Sequence, residues 1–458
     1  MPDLVLAIDQ GTSSTKCLLV DPSGAIVRSA SAPVPIRYPQ PGWVEQDAIE
    51  ILDSVLAAAT ECLSGVGKGA VRAVGFSTQR ESAVVWDPRT GLPSGPVLGW
   101  QDQRSQPICD ALRDKDQAHR VREISGLPLD PMFSAAKLRW LLDRAPSSSV
   151  VGTVDAWLVH ALTGSHQIEV GNASRTQLLD VRAGVWSPEL LDLFGIPASA
   201  LPVVTPSSGS LGIIGERGGV LEGLPITAVL GDSHAALYAH GAAGSGGVKV
   251  TYGTGSSVMR LGSSDSEAVC LTVAWDDCLA MEGNIRSSGA TVAWLASLLG
   301  VSASQIGQMA ASASSDGVFV VPAFGGLAAP WWDDAAVGVI SGLTLGTRAP
   351  QLARAAIESI AHQVTDVVDA MGGASCLLAD GGASENDHLM RIQADLAGVP
   401  VRRARAANLS ALGAAFLAGG FTGLSLDYDD FDPRPIDPAV RIAWRDAVAR
   451  ARTPSGGS

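Results

Sequence analysis

Positive charge is scarce in this sequence. Lys and Arg number 32 against 46 Asp and Glu, a formal net charge of −14 over 458 residues. Nonspecific nucleic-acid binding and docking on anionic membranes both need basic surface, and the longest basic run is the pair Arg402-Arg403. Long apolar runs are missing too. None approaches the ~20 residues of a membrane-spanning helix. The start, Met-Pro-Asp-Leu-Val-Leu-Ala-Ile-Asp, has no basic stretch and its apolar run is broken by Asp9, which argues against a signal peptide. The six cysteines are scattered with no C-x-x-C pair, which argues against a zinc site or a disulfide framework. Buried thiols in a reducing cytoplasm are the expectation. No Walker-type phosphate loop is present. Charged residues make up only 17%, but 46% hydrophobic residues supply ample core.

Glycine is abundant instead, at 51 of 458 residues against an average of about 7%. Such an excess points to turns that approach something closely. The length predicts two to three domains. Leu4–Ile8, Cys17–Val20 and Ala25–Ser29 read as strands. A helix follows on the stripe Ile49, Leu52, Val55, Leu56, Ala59 and Leu63, and then a strand at Val71–Phe76. The second half repeats the theme. Val248–Tyr252 and Ser256–Leu261 flank Gly253-Thr254-Gly255, a long helix covers Pro350–Met371, and a strand at Cys376–Ala379 precedes helices at His388–Ala397 and Asn408–Ala418. Duplicated α/β domains are predicted, 1–238 and 239–452, with a mobile tail at 453–458. The break is expected among Gly241, Gly244, Gly246 and Gly247.

Five constellations carry polar chemistry. Asp9-Gln10-Gly11-Thr12-Ser13-Ser14, with Lys16 beyond, joins two strands. Glycine lets backbone N–H groups face phosphate oxygens, the hydroxyls of Thr12, Ser13 and Ser14 add donors, and Asp9 at a strand end suits water-bridged Mg²⁺. A plain hairpin is the bland alternative, weakened by the second such turn at Gly253-Thr254-Gly255-Ser256. Asp380-Gly381-Gly382-Ala383-Ser384-Glu385-Asn386 leaves a strand for a helix. A flat ligand can lie on its glycines, or Asn386 can simply cap the helix. Asp232, after Ile226–Leu230, is either a general base or a helix cap, and His234 reads as a helix-face residue pointing away. Arg80 and Glu81 form either a surface ion pair or a donor–acceptor pair for vicinal hydroxyls. Trp100 is either core or the apolar wall of a sugar site.

Taken in order, these motifs resemble the FGGY carbohydrate kinases, and within that family the glycerol-kinase branch, from Ala7 to about Ala418. Further matching stretches are Pro41-Gly42-Trp43-Val44-Glu45, Thr153-Val154-Asp155-x-Trp157-Leu158, Asn172-Ala173-Ser174-Arg175-Thr176, Phe133-Ser134-x-x-Lys137-Leu138-x-Trp140, Val321-Pro322-Ala323-Phe324 and Gly338-x-Ile340-x-Gly342-Leu343. The resemblance implies two actin-like (ribonuclease-H-like) domains flanking a deep hinged cleft. It implies Mg-ATP-dependent phosphorylation of a sugar or polyol hydroxyl, with ATP and Mg²⁺ as cofactors. Asp232 falls on the catalytic base and Asp9 on the metal-associated acid, with Asp232 also facing the metal. Thr12, Ser13, Gly253, Thr254, Gly289, Gly382 and Asn386 fall on nucleotide positions, joined by Ser14 and Lys16 of the first turn. Arg80, Glu81 and Trp100 fall on substrate positions. A homodimer or a homotetramer is left open, in the cytoplasm where ATP is.

Three substrate positions depart from that branch. Glycerol kinases carry Tyr at Met132, Gln at Ser233 and Phe at Ser257. Losing two aromatic rings enlarges the pocket, and losing a phenol removes a polar partner. The expected acceptor is therefore glycerol, a tetritol or tetrulose, or a pentulose. An actin- or chaperone-like ATPase without a sugar substrate is the alternative, and it leaves Gln79-Arg80-Glu81 with Trp100 unexplained.

Overall fold

The computed structural model describes residues 4–67, 69–241, 247–422 and 424–452. The tail expected at 453–458, and Gly244 and Gly246 of the glycine cluster, lie outside the described residues. The chain forms two units. The first comprises Met1–Gly241, Leu271–Ala280 and Asn408–Ser425; the second comprises Ala242–Cys270, Met281–Ala407 and Leu426–Ser458. The sequence suggested one break near 238, whereas two later segments cluster with the first unit.

In the first unit a five-stranded sheet has the order Ile226–Gly231, Val71–Thr78, Leu4–Gln10, Ser14–Val20, Ile26–Pro33. The first three strands are parallel, and the last two extend the sheet antiparallel. The parallel strands are buried almost throughout, as their continuous apolar sequence requires. Helix Ala48–Leu63 covers the sheet. Asp47 caps it, accepting from the Ile49 and Glu50 N–H groups. Its buried stripe is Ile51, Leu52, Val55, Ala58, Ala59 and Cys62, rotated from the predicted one, so that Ile49 stays exposed.

Helix Leu409–Gly419 explains one returning segment. Its buried residues include Ala411, Gly413, Ala414, Ala415 and Ala418. A Cβ on Gly413 would collide with the Ala235 carbonyl, and one on Gly75 with the Ala414 carbonyl. Small side chains let this helix lie directly on strand Val71–Thr78 and on helix Asp232–Ala239, fixing where the latter begins.

The second unit repeats the scheme. Its sheet contains, in order, Cys278–Ile285, Ser256–Leu261, Val248–Tyr252, Leu377–Asp380, Val401–Ala404 and Tyr428–Phe431. Again an antiparallel hairpin is followed by parallel partners. Helix Ala349–Ala370 buries Ile357, Ile360, Val364, Val367 and Val368 against this sheet. All six cysteines are free thiols, and Cys17, Cys62, Cys109 and Cys270 are buried.

Candidate functional site

In the first unit the three parallel strands end in polar residues on one edge. Leu4–Gln10 delivers Asp9, Val71–Thr78 leads into Gln79-Arg80-Glu81, and Ile226–Gly231 leads into Asp232. The carboxyl ends of parallel strands are where α/β sheets collect ligand groups.

The turn after Asp9 has its carbonyls occupied. Gly11 O accepts from Gln10 Nε2 (2.7 Å) and Thr12 O from Gln46 Nε2 (2.8 Å). Ser13 O accepts from the Val34 N–H and Ser14 O from the Gly11 N–H. The Thr12 and Ser13 N–H groups donate to no partner among the described residues. A turn with pinned acceptors and spare donors suits an anion. Ser13 and Lys16 are exposed, while Thr12 and Ser14 are half-buried. The Lys16 ammonium donates to Asn408 Oδ1 at 3.0 Å rather than into the turn.

Asp9 is enclosed. Its carboxylate accepts from Ser77 Oγ at 2.7 Å. Burial pushes its pKa up to about 6; the Asp232 charge adds to the rise, while the Ser77 bond and Lys16 oppose it. Asp232 is partly exposed. Its Oδ1 lies 3.3 Å from Arg80 Nε and also accepts from the Ser233 N–H at 2.6 Å. Gly231 is the helix N-cap and Asp232 the first helical residue, so the capping role weighed for Asp232 falls to its neighbour. His234 does not point away. It is buried, with Nε2 3.3 Å from Arg80 Nη1.

Arg80 and Glu81 are both buried, which excludes the surface ion pair. Their closest approach is 3.9 Å, and Glu81 Oε1 instead accepts from the buried Arg175 Nε at 2.6 Å. Glu81 sits at φ +62°, a strained backbone that re-aims its side chain. Trp100 is 37% exposed, so it is not core. Its indole N–H donates to Thr12 Oγ1 at 3.2 Å. Met132 and Ser233 are half-buried. The Met132 loop is held by Lys137, whose buried ammonium donates to the Pro131 and Met132 carbonyls. Sequence reasoning missed the holding roles of Gln46, Ser82, Arg175 and His234. Arg175 gave a signal as part of a matched stretch, and His234 was seen beside Asp232 but read as pointing away.

In the second unit the Gly253-Thr254-Gly255 turn is pinned in the same manner. Gly253 O accepts from the Gly289 N–H; Thr254 O accepts from the Ser288 and Ala290 N–H groups at the start of helix Gly289–Leu299. A Cβ on Gly289 would lie 2.7 Å from Gly253 O, so only glycine allows this seating. Ser257 Oγ donates to the buried Glu282 at 3.3 Å. Gly381 adopts φ +88° against Tyr252, and the space over Gly382 is open. Asn386 caps helix Asp387–Ala397, its Oδ1 accepting from the His388 and Leu389 N–H groups. The capping alternative therefore holds for its oxygen.

No cluster of three or more His, Cys, Asp or Glu side chains that could hold a metal gathers among the described residues. Mg²⁺ rarely needs one: it keeps several waters and takes one or two carboxylates plus phosphate oxygens. Asp9 fits that demand. It is a half-buried carboxylate with a single hydroxyl donor and a second carboxylate, Asp232, close enough to raise its pKa.

The FGGY family of carbohydrate kinases matches over residues 4–239 with its N-terminal domain and over 248–420 with its C-terminal domain. An apulose kinase of Pectobacterium atrosepticum is 41% identical, over 98% of both chains. A glycerol kinase of Leptothrix cholodnii is 44% identical, over 93% of this chain and 92% of that one. A crystal structure of Plasmodium falciparum glycerol kinase with ADP superposes with a TM-score of 0.90 at 27% identity, covering 98% of each chain. The chain therefore belongs to the FGGY family of carbohydrate kinases, phosphotransferases with an alcohol acceptor, ATP use and two actin-like domains.

Proposed function

We propose that the chain transfers the γ-phosphate of ATP to a hydroxyl of a short polyol or ketose, with Asp232 as general base. The observation that carries this reading is the pairing of a partly exposed Asp232 carboxylate with the buried Arg80 guanidinium, 3.3 Å away at a strand end. Asp232 accepts the proton of the attacking hydroxyl as its oxygen bonds phosphorus. The bond from phosphorus to the β,γ-bridging oxygen breaks, and ADP leaves. Arg80 orients the base, and Arg175 orients Glu81, which accepts from a second acceptor hydroxyl. Trp100 supplies an apolar wall for the carbon chain. Asp9 and Asp232 would hold Mg²⁺, which when bound would neutralise charge on the phosphates. The Thr12–Ser14 and Gly253–Thr254 turns, the Gly289 helix start and the open face at Gly382 serve the nucleotide.

Glycerol is not the unique acceptor in this reading. Met132 and Ser257 offer less bulk than the Tyr and Phe of glycerol kinases, and among the relatives one is named apulose kinase while several are named glycerol kinase. ADP release should be measured over a panel of glycerol, erythritol, erythrulose, xylulose and apulose. At least one four- or five-carbon acceptor is expected to match or exceed glycerol in kcat/KM. Strict glycerol preference would restore a plain glycerol kinase, and ADP release indifferent to every acceptor would return the ATPase alternative.

A further inference from the structure

Trp100 and Thr12 are tied together twice. The direct tie is the indole N–H to Thr12 Oγ1, at 3.2 Å. The second tie runs through the interior. The Trp100 backbone N–H donates to Ser82 Oγ (3.2 Å), Ser82 Oγ donates to Gln79 Oε1 (2.8 Å), Gln79 Nε2 donates to Gln46 Oε1 (3.1 Å), and Gln46 Nε2 donates to Thr12 O (2.8 Å). These bonds close a ring. Gln46, Gln79 and Ser82 are almost wholly buried, so their amides and hydroxyl have no water to exchange with. Gln79 also donates to Gln10 Oε1, and Gln10 Nε2 to the Gly11 carbonyl, which fixes the residue before Thr12 as well.

A hydroxyl has one proton and two acceptor positions. When the Thr12 oxygen accepts from the indole, its proton must turn elsewhere. No other partner for the Thr12 hydroxyl occurs among the described residues. We infer that Gln46, Gln79 and Ser82 are positioning residues, and that the Trp100 indole N–H orients the Thr12 hydroxyl as a donor to nucleotide phosphate. One side chain would then wall the acceptor pocket and set the donor geometry of the phosphate turn. The inference rests on the nucleotide and acceptor assignments proposed above.

The test is binding of a non-hydrolysable ATP analogue with Mg²⁺, measured by calorimetry without acceptor. Trp100→Phe keeps the ring and removes only the N–H at a partly exposed position. It should weaken analogue binding about three- to tenfold, the worth of one neutral hydrogen bond. Thr12→Val should weaken it at least as much, Thr12→Ser should stay near wild type, and Trp100→Phe added to Thr12→Val should cost nothing further. In turnover, Trp100→Phe should raise the nucleotide KM more than the acceptor KM. Unchanged analogue affinity in Trp100→Phe, additive losses in the double variant, or a loss confined to the acceptor KM would each overturn the inference. A wild type that binds the analogue but phosphorylates no acceptor would sink the proposed function and leave this result readable.

Discussion

Replacing Asp9 by Asn should stabilise the ligand-free protein while crippling its use of Mg-ATP. Asp9 lies half-buried at a strand end, and loss of water around its carboxylate lifts its pKa from 3.8 to about 6. A rise of roughly two units corresponds to about 3 kcal/mol of differential stability. The folded pKa lies above the unfolded one, so this stability is fully present below pH 3.8 and is lost as pH rises through 6. Above pH 6 the wild type carries an ionised, poorly hydrated carboxylate that the Asn variant lacks. Urea denaturation of ligand-free protein at pH 7.5 should therefore favour Asp9→Asn by about 3 kcal/mol, and the gap should shrink to about half by pH 5. Glu169 and Asp155 are also buried with raised pKa values, near 8 and 6, but they are common to both proteins and cancel in the difference. A saturating ATP analogue with Mg²⁺ should close the gap from the wild-type side, because ligand at about 100 times its Kd adds about 2.7 kcal/mol. An Asn variant no more stable at pH 7.5, or a gap that ignores pH, would refute the placement of an uncompensated charge at Asp9.

The remaining expectations concern single steps. Asp232→Asn should lower kcat by about 10²–10⁴-fold while analogue binding in calorimetry stays near wild type; a near-normal kcat would remove Asp232 as base. Gly382→Val should leave ligand-free stability within about 0.5 kcal/mol, since a Cβ there meets nothing within 4 Å, yet raise the ATP KM. An unchanged KM would clear Gly382 of nucleotide contact. Met132→Tyr combined with Ser257→Phe should shift the ratio of kcat/KM toward glycerol, against four- and five-carbon acceptors, by about tenfold or more. No shift would mean that these positions do not select the acceptor.

Much of this was legible because it is local. The Val248–Tyr252 and Ser256–Leu261 strands were read at their observed limits, since a Gly-Thr-Gly turn between β-branched runs needs no distant information. Asp9 and Gly253 were singled out from hairpin turns, and Gly382 from a strand-to-helix connection. What escaped reading depends on partners far apart in sequence. Arg175 reaches Glu81 across 94 residues, and Gln46 meets Gln79 across 33. Buried glutamines carry no periodic signature. Helix Leu409–Gly419 was read as a helix, yet its small residues gave no hint that they lie on strand Val71–Thr78. The Arg80-Glu81 dipeptide left a surface ion pair open as one of two readings, because burial of two charges becomes tolerable only once Arg175 and Asp232 join them.

The duplicated hairpins also show how one topology yields two chemistries. In each unit a hairpin strand runs parallel to a neighbouring strand, and the turn carbonyls are pinned so that its donors are spare. The pinning groups differ. In the first unit they include the glutamine amides of Gln10 and Gln46; in the second they are mostly the backbone N–H groups that open helix Gly289–Leu299. The charges differ too. Asp9 ends the hairpin strand beside Ser77, whereas the second unit has Thr251 on the hairpin and Asp380 on the parallel neighbour. A carboxylate beside a phosphate turn repels the anion unless a cation lies between them. Only the first turn has its acid on the hairpin strand itself, so under the proposed function that is the turn where Mg²⁺ would sit. Under the same proposal the second turn serves the nucleotide through backbone donors.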